Sequence, residues 1–269
     1  MGAISGEARL KLAVSGATGR MGRAVIRLCA EAGDVELVGA CAGPGDAALG
    51  EDAGTLAGVA RAGVAITDDM ASALLGAQVV IDFSLPVALE QLARLAARQG
   101  VALVSGTTGV SDLSVLDAAA ARVPVLWAPN MSLGIAVLSE LVAQAALRLG
   151  EAFDIEITEV HHRHKVDAPS GTALRLAQAV REVRELRPVT GRQGNAGPRA
   201  PEELGVFALR GGDVIGDHSV HLLGMGERLE LTHRATNRDL FAHGALRAAR
   251  WLTKQPPARY SLANVLGTP

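Results

Sequence analysis

The sequence predicts an α/β protein with a doubly wound parallel sheet, followed by a region of different pattern that combines helices with antiparallel strands. Three observations carry this. Short apolar runs alternate with amphipathic helical stretches from Ala8 to about residue 130. A glycine-rich string sits at the first strand-to-helix junction, and the alternation stops after Asn130. Repeated strand and helix alternation specifies a parallel sheet covered on both faces.

The elements follow in order. Leu10 to Val14 reads as a strand, Arg20 to Ala32 as a helix stopped by Gly33, and Val35 to Cys41 as a second strand. Further strands are expected at Val64 to Thr67, Val79 to Phe83, Val101 to Ser105 and Val123 to Trp127. Helices are expected near Pro86 to Gln99 and Leu113 to Ala121. Pro86 suits a helix start because its missing N–H falls where no intrahelical partner exists. After Asn130 come a helix over residues 132–149, an alternating strand from Phe153 to Val160, and a helix to about Leu186. Arg187 to Gly205 is rich in Gly and Pro and reads as a long structureless loop, a functional or subunit-bridging arm. Val206 to Leu209, Asp213 to Leu223 and Glu227 to His233 read as antiparallel strands joined by turns at Gly211-Gly212 and Gly224-Met-Gly226. A last helix covers Phe241 to Thr253.

Composition narrows the function. The chain has 269 residues, 49% of them hydrophobic, enough for two modest domains, and its formal charge is only −2. Basic and acidic residues are mixed along the chain, so no polybasic face for nucleic acid or membrane is expected and a small-molecule partner is favoured. Cys29 and Cys41 are expected as buried reduced thiols, which fits a cytoplasmic protein. The N-terminal residues lack a signal-peptide core, and no apolar run is expected to span a membrane.

Ser15-Gly-Ala-Thr-Gly-Arg-Met-Gly22 follows the first strand and opens the first helix, the context of a dinucleotide site. Such glycines permit a tight turn, let backbone N–H groups approach a pyrophosphate, and place it at the positive end of a helix. Arg20 could add a direct charge. An acid ending the second strand would bind the ribose hydroxyls of NAD, but here Gly39-Ala-Cys-Ala-Gly-Pro-Gly-Asp46 has neither acid nor arginine at the expected point. Asp46 is a poorer candidate, and the choice between NAD and NADP is not readable.

Residues 159–173 read Glu-Val-His-His-Arg-His-Lys-Val-Asp-Ala-Pro-Ser-Gly-Thr-Ala, with three of the seven histidines and one of the three lysines within five positions. The strand before and the helix after put proton donors beside a helix N-terminus. The unpaired N–H groups there, with the Ser170 and Thr172 hydroxyls and Lys165, make a carboxylate or phosphate site. N-capping by Asp167 or Ser170, worth about 1 kcal/mol, is the structural alternative and is compatible with it. Metal binding is not expected, because both cysteines lie elsewhere and a strand sends successive side chains to opposite faces. Imidazole titrates near neutral pH, which favours general acid/base work, with His164 a bystander.

These two motifs, with Asp82-Phe-Ser, Gly106-Thr-Thr-Gly109, Ala128-Pro-Asn-Met131-Ser, Arg210-Gly-Gly-Asp213 and Gly216-Asp-His218, make the chain resemble the dihydrodipicolinate reductase family over residues 9–266. The resemblance implies a Rossmann-like nucleotide-binding domain over residues 1–130, completed by 240–269. An α+β substrate-binding and oligomerisation domain with a mixed sheet would cover 131–239, in a cytoplasmic homotetramer. It implies NADH or NADPH as cofactor and a cyclic imine dicarboxylate as substrate, reduced in the diaminopimelate route to lysine. His161 would be the general acid/base and Lys165 a proton donor and charge partner. His162, Gly171 and Thr172 would hold substrate carboxylate, beside Ser170. Cofactor contacts would come from Gly16, Ala17, Thr18, Gly19, Arg20 and Met21, from Gly106, Thr107 and Thr108, and from Ala128, Pro129, Asn130 and Met131. Leu85 departs from the basic or polar residue that some relatives carry there. Another dehydrogenase of this fold would call for a catalytic Cys or a Tyr-x-x-x-Lys, and a nucleotide-sensing regulator would not need the His-His-x-x-Lys string.

Overall fold

The computed structural model describes residues 8–267, and the leader-peptide expectation rests largely on residues outside them. The chain divides into two compact units. One runs from the first described residue to Met131 and resumes at Asp239, and the other is Ser132–Arg238.

The first unit holds β1 (Leu10–Ser15), α1 (Arg20–Glu31), β2 (Val35–Cys41), α2 (Ala53–Ala57), β3 (Ile66–Thr67), α3 (Met70–Ala73), β4 (Val79–Asp82), α4 (Pro86–Gln99), β5 (Ala102–Ser105), α5 (Ser114–Ala120) and β6 (Val125–Trp127). The strands form one parallel sheet in the order β3-β2-β1-β4-β5-β6. This is a doubly wound Rossmann order, whose direction of winding reverses between β1 and β4. Every residue of β4 and β5 is buried, as a sheet covered on both faces requires. Leu89, Leu92, Ala93 and Ala96 of α4 and Leu116 of α5 pack with Val80, Leu103 and Val125 in one core layer. The short α2 and α3, capped by Asp52 and Asp69, escaped the sequence reading.

The second unit holds α6 (Leu133–Leu149), β7 (Asp154–His161), α7 (Gly171–Arg181), β8 (Arg187–Val189), β9 (Glu203–Arg210), β10 (Gly216–Gly224) and β11 (Glu227–Ala235). Back in the first unit, α8 (Asp239–Leu252), β12 (Arg259–Tyr260) and α9 (Leu262–Leu266) close the chain, with β12 pairing parallel to β6. The second sheet is mixed, in the order β11-β10-β7-β9-β8. Ile155 and Ile157 of β7, Val220 and Leu222 of β10 and Leu204 and Val206 of β9 face α6 and α7.

Several expectations need correction. Gly211-Gly212 does not turn an antiparallel hairpin, because β9 lies parallel to β7 on one side and β10 antiparallel to β7 on the other. The connection instead wraps the end of β7, with Gly211 N–H donating to the His161 carbonyl and His162 N–H donating to that of Val214. The segment from Arg187 is not structureless throughout, since Arg187–Val189 pairs with Glu203–Gly205. Arg192 and Arg199 tie the rest to its own sheet, bonding Glu156, Glu203 and Asp154. Helix α7 ends at Arg181 rather than near Leu186. The stretch Leu133–Ala152 does have membrane-spanning length and apolarity, but Ile135, Leu138, Val142 and Ala146 place one face of it in the core of the second unit.

Candidate active site

In the first unit, the loops after β1, β4, β5 and β6 all leave the carboxyl edge of the sheet, where open α/β sheets bind ligands. Gly16 has φ of 75° and begins the turn; a Cβ there would lie 2.6 Å from the Phe83 carbonyl oxygen. A Cβ on Gly22 would lie 2.1 Å from the Gly16 carbonyl oxygen, so only glycine lets α1 start against the loop. Gly19 is the N-cap of α1, and no acid in the first turn repels an anion there. Gly106 passes the Phe83 ring so closely that a Cβ would come within 2.2 Å of it. These close approaches pack the glycine turn, α1 and the loops after β4 and β5 into a cradle whose α1 N-terminus suits a dinucleotide pyrophosphate.

A buried carboxylate locks the neighbouring loops. Asp82 accepts from Ser84 Oγ at 2.5 Å, Ser105 Oγ at 2.8 Å and Thr107 Oγ1 at 2.7 Å. Trp127 Nε1 donates to the Thr107 carbonyl at 2.9 Å. Arg23, which the sequence reading passed over, donates to the Thr18 carbonyl at 2.8 Å. Among the expected cofactor residues, Ala17, Thr107, Ala128 and Met131 are buried supports, whereas Arg20, Thr108 and Pro129 are exposed. Met21 and Asn130 are half-buried at the loop ends. Cys29 and Cys41 are free and buried, which pushes their thiols up to about 12 and about 11.

The second unit contributes side chains. Ile155, Ile157, Glu159 and His161 alternate onto the covered face of β7, so the strand carries its apolar pattern into a charged end. Glu159 is wholly buried. Its Oε2 accepts from His161 Nδ1 at 2.5 Å and Arg210 Nη1 at 2.7 Å. Its Oε1 accepts from Arg210 Nη2 at 2.9 Å and the Ser170 N–H at 3.0 Å. Burial works against the Glu159 charge, but the Arg210, His161 and Ser170 bonds outweigh it and hold the carboxyl below its usual value. An ionised carboxylate only accepts, so His161 Nδ1 carries the proton and Nε2 is left for exchange. Gly216 keeps space beside that atom, since a Cβ there would stand 3.0 Å from Nε2.

His218, quoted in the Gly216-Asp-His218 motif but given no role, is set by the ladder opposite Glu159. Its ring meets that of His161 edge-on at 5.1 Å, and its Nε2 lies 3.2 Å from Ser170 Oγ. Burial, then the His161 charge, pushes its pKa down to about 4, so it is neutral. Ser170 Oγ also caps α7 by accepting from the Ala173 N–H at 3.1 Å. Gly171 and Thr172 form the first turn of α7, the anion-accepting end of a helix.

Lys165 donates to both oxygens of Asp167 at 2.8 and 2.9 Å, and Arg210 Nη2 donates to the Asp167 carbonyl at 2.7 Å. Lys165, Asp167, Arg210, Glu159 and His161 thus form one connected group. His162, half-buried, has its pKa lowered first by desolvation and then by Arg238, His161, His164 and Lys165, a cationic surrounding suited to an anion. His164 is exposed, 6.3 Å from the His162 ring. Among the described residues no group of three or more His, Cys, Asp or Glu could hold a metal ion.

Fold and cradle together define an NAD(P)-dependent oxidoreductase of the Rossmann type. Within that class, the chain belongs to the dihydrodipicolinate reductase family. The model of the family's N-terminus matches residues 10–131 and that of its C-terminus residues 134–266. The 4-hydroxy-tetrahydrodipicolinate reductase of Anaeromyxobacter sp. (strain Fw109-5) is 50% identical over 264 residues, covering 96% of this chain and 98% of that one. The enzyme of the same name from Alkalilimnicola ehrlichii is 48% identical, covering 96% and 98%. Among solved structures, a dipicolinate-bound dihydrodipicolinate reductase from Paenisporosarcina sp. TG-14 shares the fold, with a TM-score of 0.76 and 22% identity over 94% of this chain and 98% of that one. A myo-inositol dehydrogenase from Lactobacillus casei matches with a TM-score of 0.60 and 15% identity over 96% of this chain and 91% of that one. The architecture is therefore shared with other dehydrogenases, and the family match is what separates them.

Proposed function

We propose that the chain reduces 4-hydroxy-tetrahydrodipicolinate to tetrahydrodipicolinate in the diaminopimelate route to lysine. The observation that carries this reading is the Glu159-His161-Arg210 group beside the N-terminus of α7. It links one oriented imidazole, through Arg210 and Asp167, to Lys165, and stands beside a helix N-terminus that suits a carboxylate. Loss of the 4-hydroxyl, with a proton from the adjacent carbon, releases water and leaves a conjugated dihydrodipicolinate. NADH or NADPH, held by Gly16 to Met21 and by the loops at Gly106 to Thr108 and Ala128 to Met131, supplies hydride when bound. His161 Nε2 exchanges the proton that completes the reaction, and Glu159 fixes the imidazole's orientation.

Lys165 supplies charge and a proton, and His162 with the Gly171-Thr172 helix start holds a substrate carboxylate. Ser170 serves as cap and as the link from Glu159 to His218. Assembly as a homotetramer is part of the proposal and rests on the family alone. The buried reduced cysteines suit the cytoplasm. The test couples the purified chain to a synthase supplied with pyruvate and aspartate semialdehyde. Nucleotide oxidation that depends on the synthase is expected, and none with either NADH or NADPH would reject the reading.

A further inference from the structure

We propose that Asp46 replaces the missing acid at the end of β2 and sets the nucleotide site to prefer NADH over NADPH. This rests on the reading of the first unit as a dinucleotide site. In such sites an acidic side chain at the end of the second strand bonds the adenosine ribose hydroxyls, next to the glycine turn after the first strand. Here β2 ends at Cys41, and Ala42, Gly43, Pro44 and Gly45 offer no side chain that can accept a hydrogen bond.

The structure brings a carboxylate to the glycine turn from farther along the chain. Gly45, with φ of 79°, turns the chain, and Asp46 N–H donates to the Gly43 carbonyl at 3.2 Å. Asp46 Oδ2 then accepts from Thr18 Oγ1 at 2.7 Å, and Oδ1 accepts from the Ala48 N–H at 3.0 Å. Thr18 lies inside the glycine turn, between Gly16 and the α1 N-cap Gly19, with its carbonyl held by Arg23. The carboxylate is therefore tied to the Thr18 side chain of the glycine turn, half-buried and fixed from two sides. The Thr18 bond first, the Ala48 N–H and the Arg23 charge keep it below its ordinary pKa, so it is ionised at neutral pH.

A carboxylate has about four acceptor positions, and these two bonds occupy two of them. A ribose diol can donate to the others. A 2′-phosphate at the same spot would meet a fixed negative charge and could not be accepted without repulsion.

The test measures NADH and NADPH dissociation constants of the full chain by calorimetry, for wild type, Asp46→Asn and Asp46→Ala. Asp46→Asn keeps the size and an acceptor for Thr18, which guards against a loop that simply unravels. Wild type is expected to bind NADH about tenfold or more tightly than NADPH, as befits hydrogen bonds to a charged group. Both variants should shrink that ratio toward unity, by weakening NADH and leaving NADPH equal or tighter. Equal wild-type constants, or variants that weaken both nucleotides by one factor, would show Asp46 to be only a loop tie. Binding of neither nucleotide by wild type would instead overturn the dinucleotide reading and this proposal with it.

Discussion

The two sheets solve opposite problems. The parallel sheet of the first unit is buried on both faces, and its candidate site is marked mostly by side chains that are missing, at Gly16, Gly22 and Gly106, where a Cβ would strike Phe83 or the Gly16 carbonyl and push the loops and α1 apart. The mixed sheet of the second unit has one covered face, and its site is a dense set of charges at the end of that face, from Glu159 to Lys165. Steric change should therefore govern binding in the first, and change of charge should govern turnover in the second.

The sharpest way to break this division lies in the second unit. His161→Ala and Lys165→Ala should each lower kcat by far more than tenfold, within the roughly 10²- to 10⁴-fold range of positioned acid/base catalysis. Steady-state nucleotide oxidation checks this, and near-normal turnover in both would remove the assigned roles. Next in size is Glu159→Gln, which leaves Arg210 facing a neutral amide. A loss of about 3 kcal/mol is expected for a broken buried pair, read by denaturant unfolding. A wild-type midpoint would mean that Arg210 finds another partner.

In the first unit, Gly22→Ala forces α1 away from the Gly16 carbonyl. The nucleotide dissociation constant should rise about tenfold or more, since an overpacked site costs roughly 1–3 kcal/mol.

The last effect concerns pH. His218 is protonated more readily unfolded, near 6.5, than folded, at about 4. Between those values the unfolded chain binds the extra proton, so stability rises with pH across that window and falls as pH drops from about 6.5 to 4. The shift corresponds to at most about 3 kcal/mol at 1.36 kcal/mol per unit. His218→Gln should flatten that slope in urea unfolding measured at several pH values. An unchanged slope would move the effect to another group.

Much of this was legible in the sequence where the signal was local. Strand and helix periods gave the parallel sheet, and Gly16 to Gly22 lies in the expected context. The pairing of β9 was not legible, because Gly211-Gly212 is locally a good hairpin turn and only the competing edge of β7 decides otherwise. Glu159 and His218 left a signal that was not used. Both fall on the inward parity of otherwise apolar strands, with Ile155 and Ile157 or with Val220 and Leu222, where a polar side chain must find partners. Arg210, which the register sets opposite His161, could be matched to Glu159 only once that register was known.

The most direct test sets Gly22→Ala beside Glu159→Gln. For each variant, nucleotide affinity is measured by calorimetry and turnover is measured at saturating nucleotide. Gly22→Ala should weaken affinity while turnover at saturation stays close to wild type, and Glu159→Gln should do the reverse. Two variants that each lower both quantities by the same factor would contradict the division between backbone cradle and charged strand end.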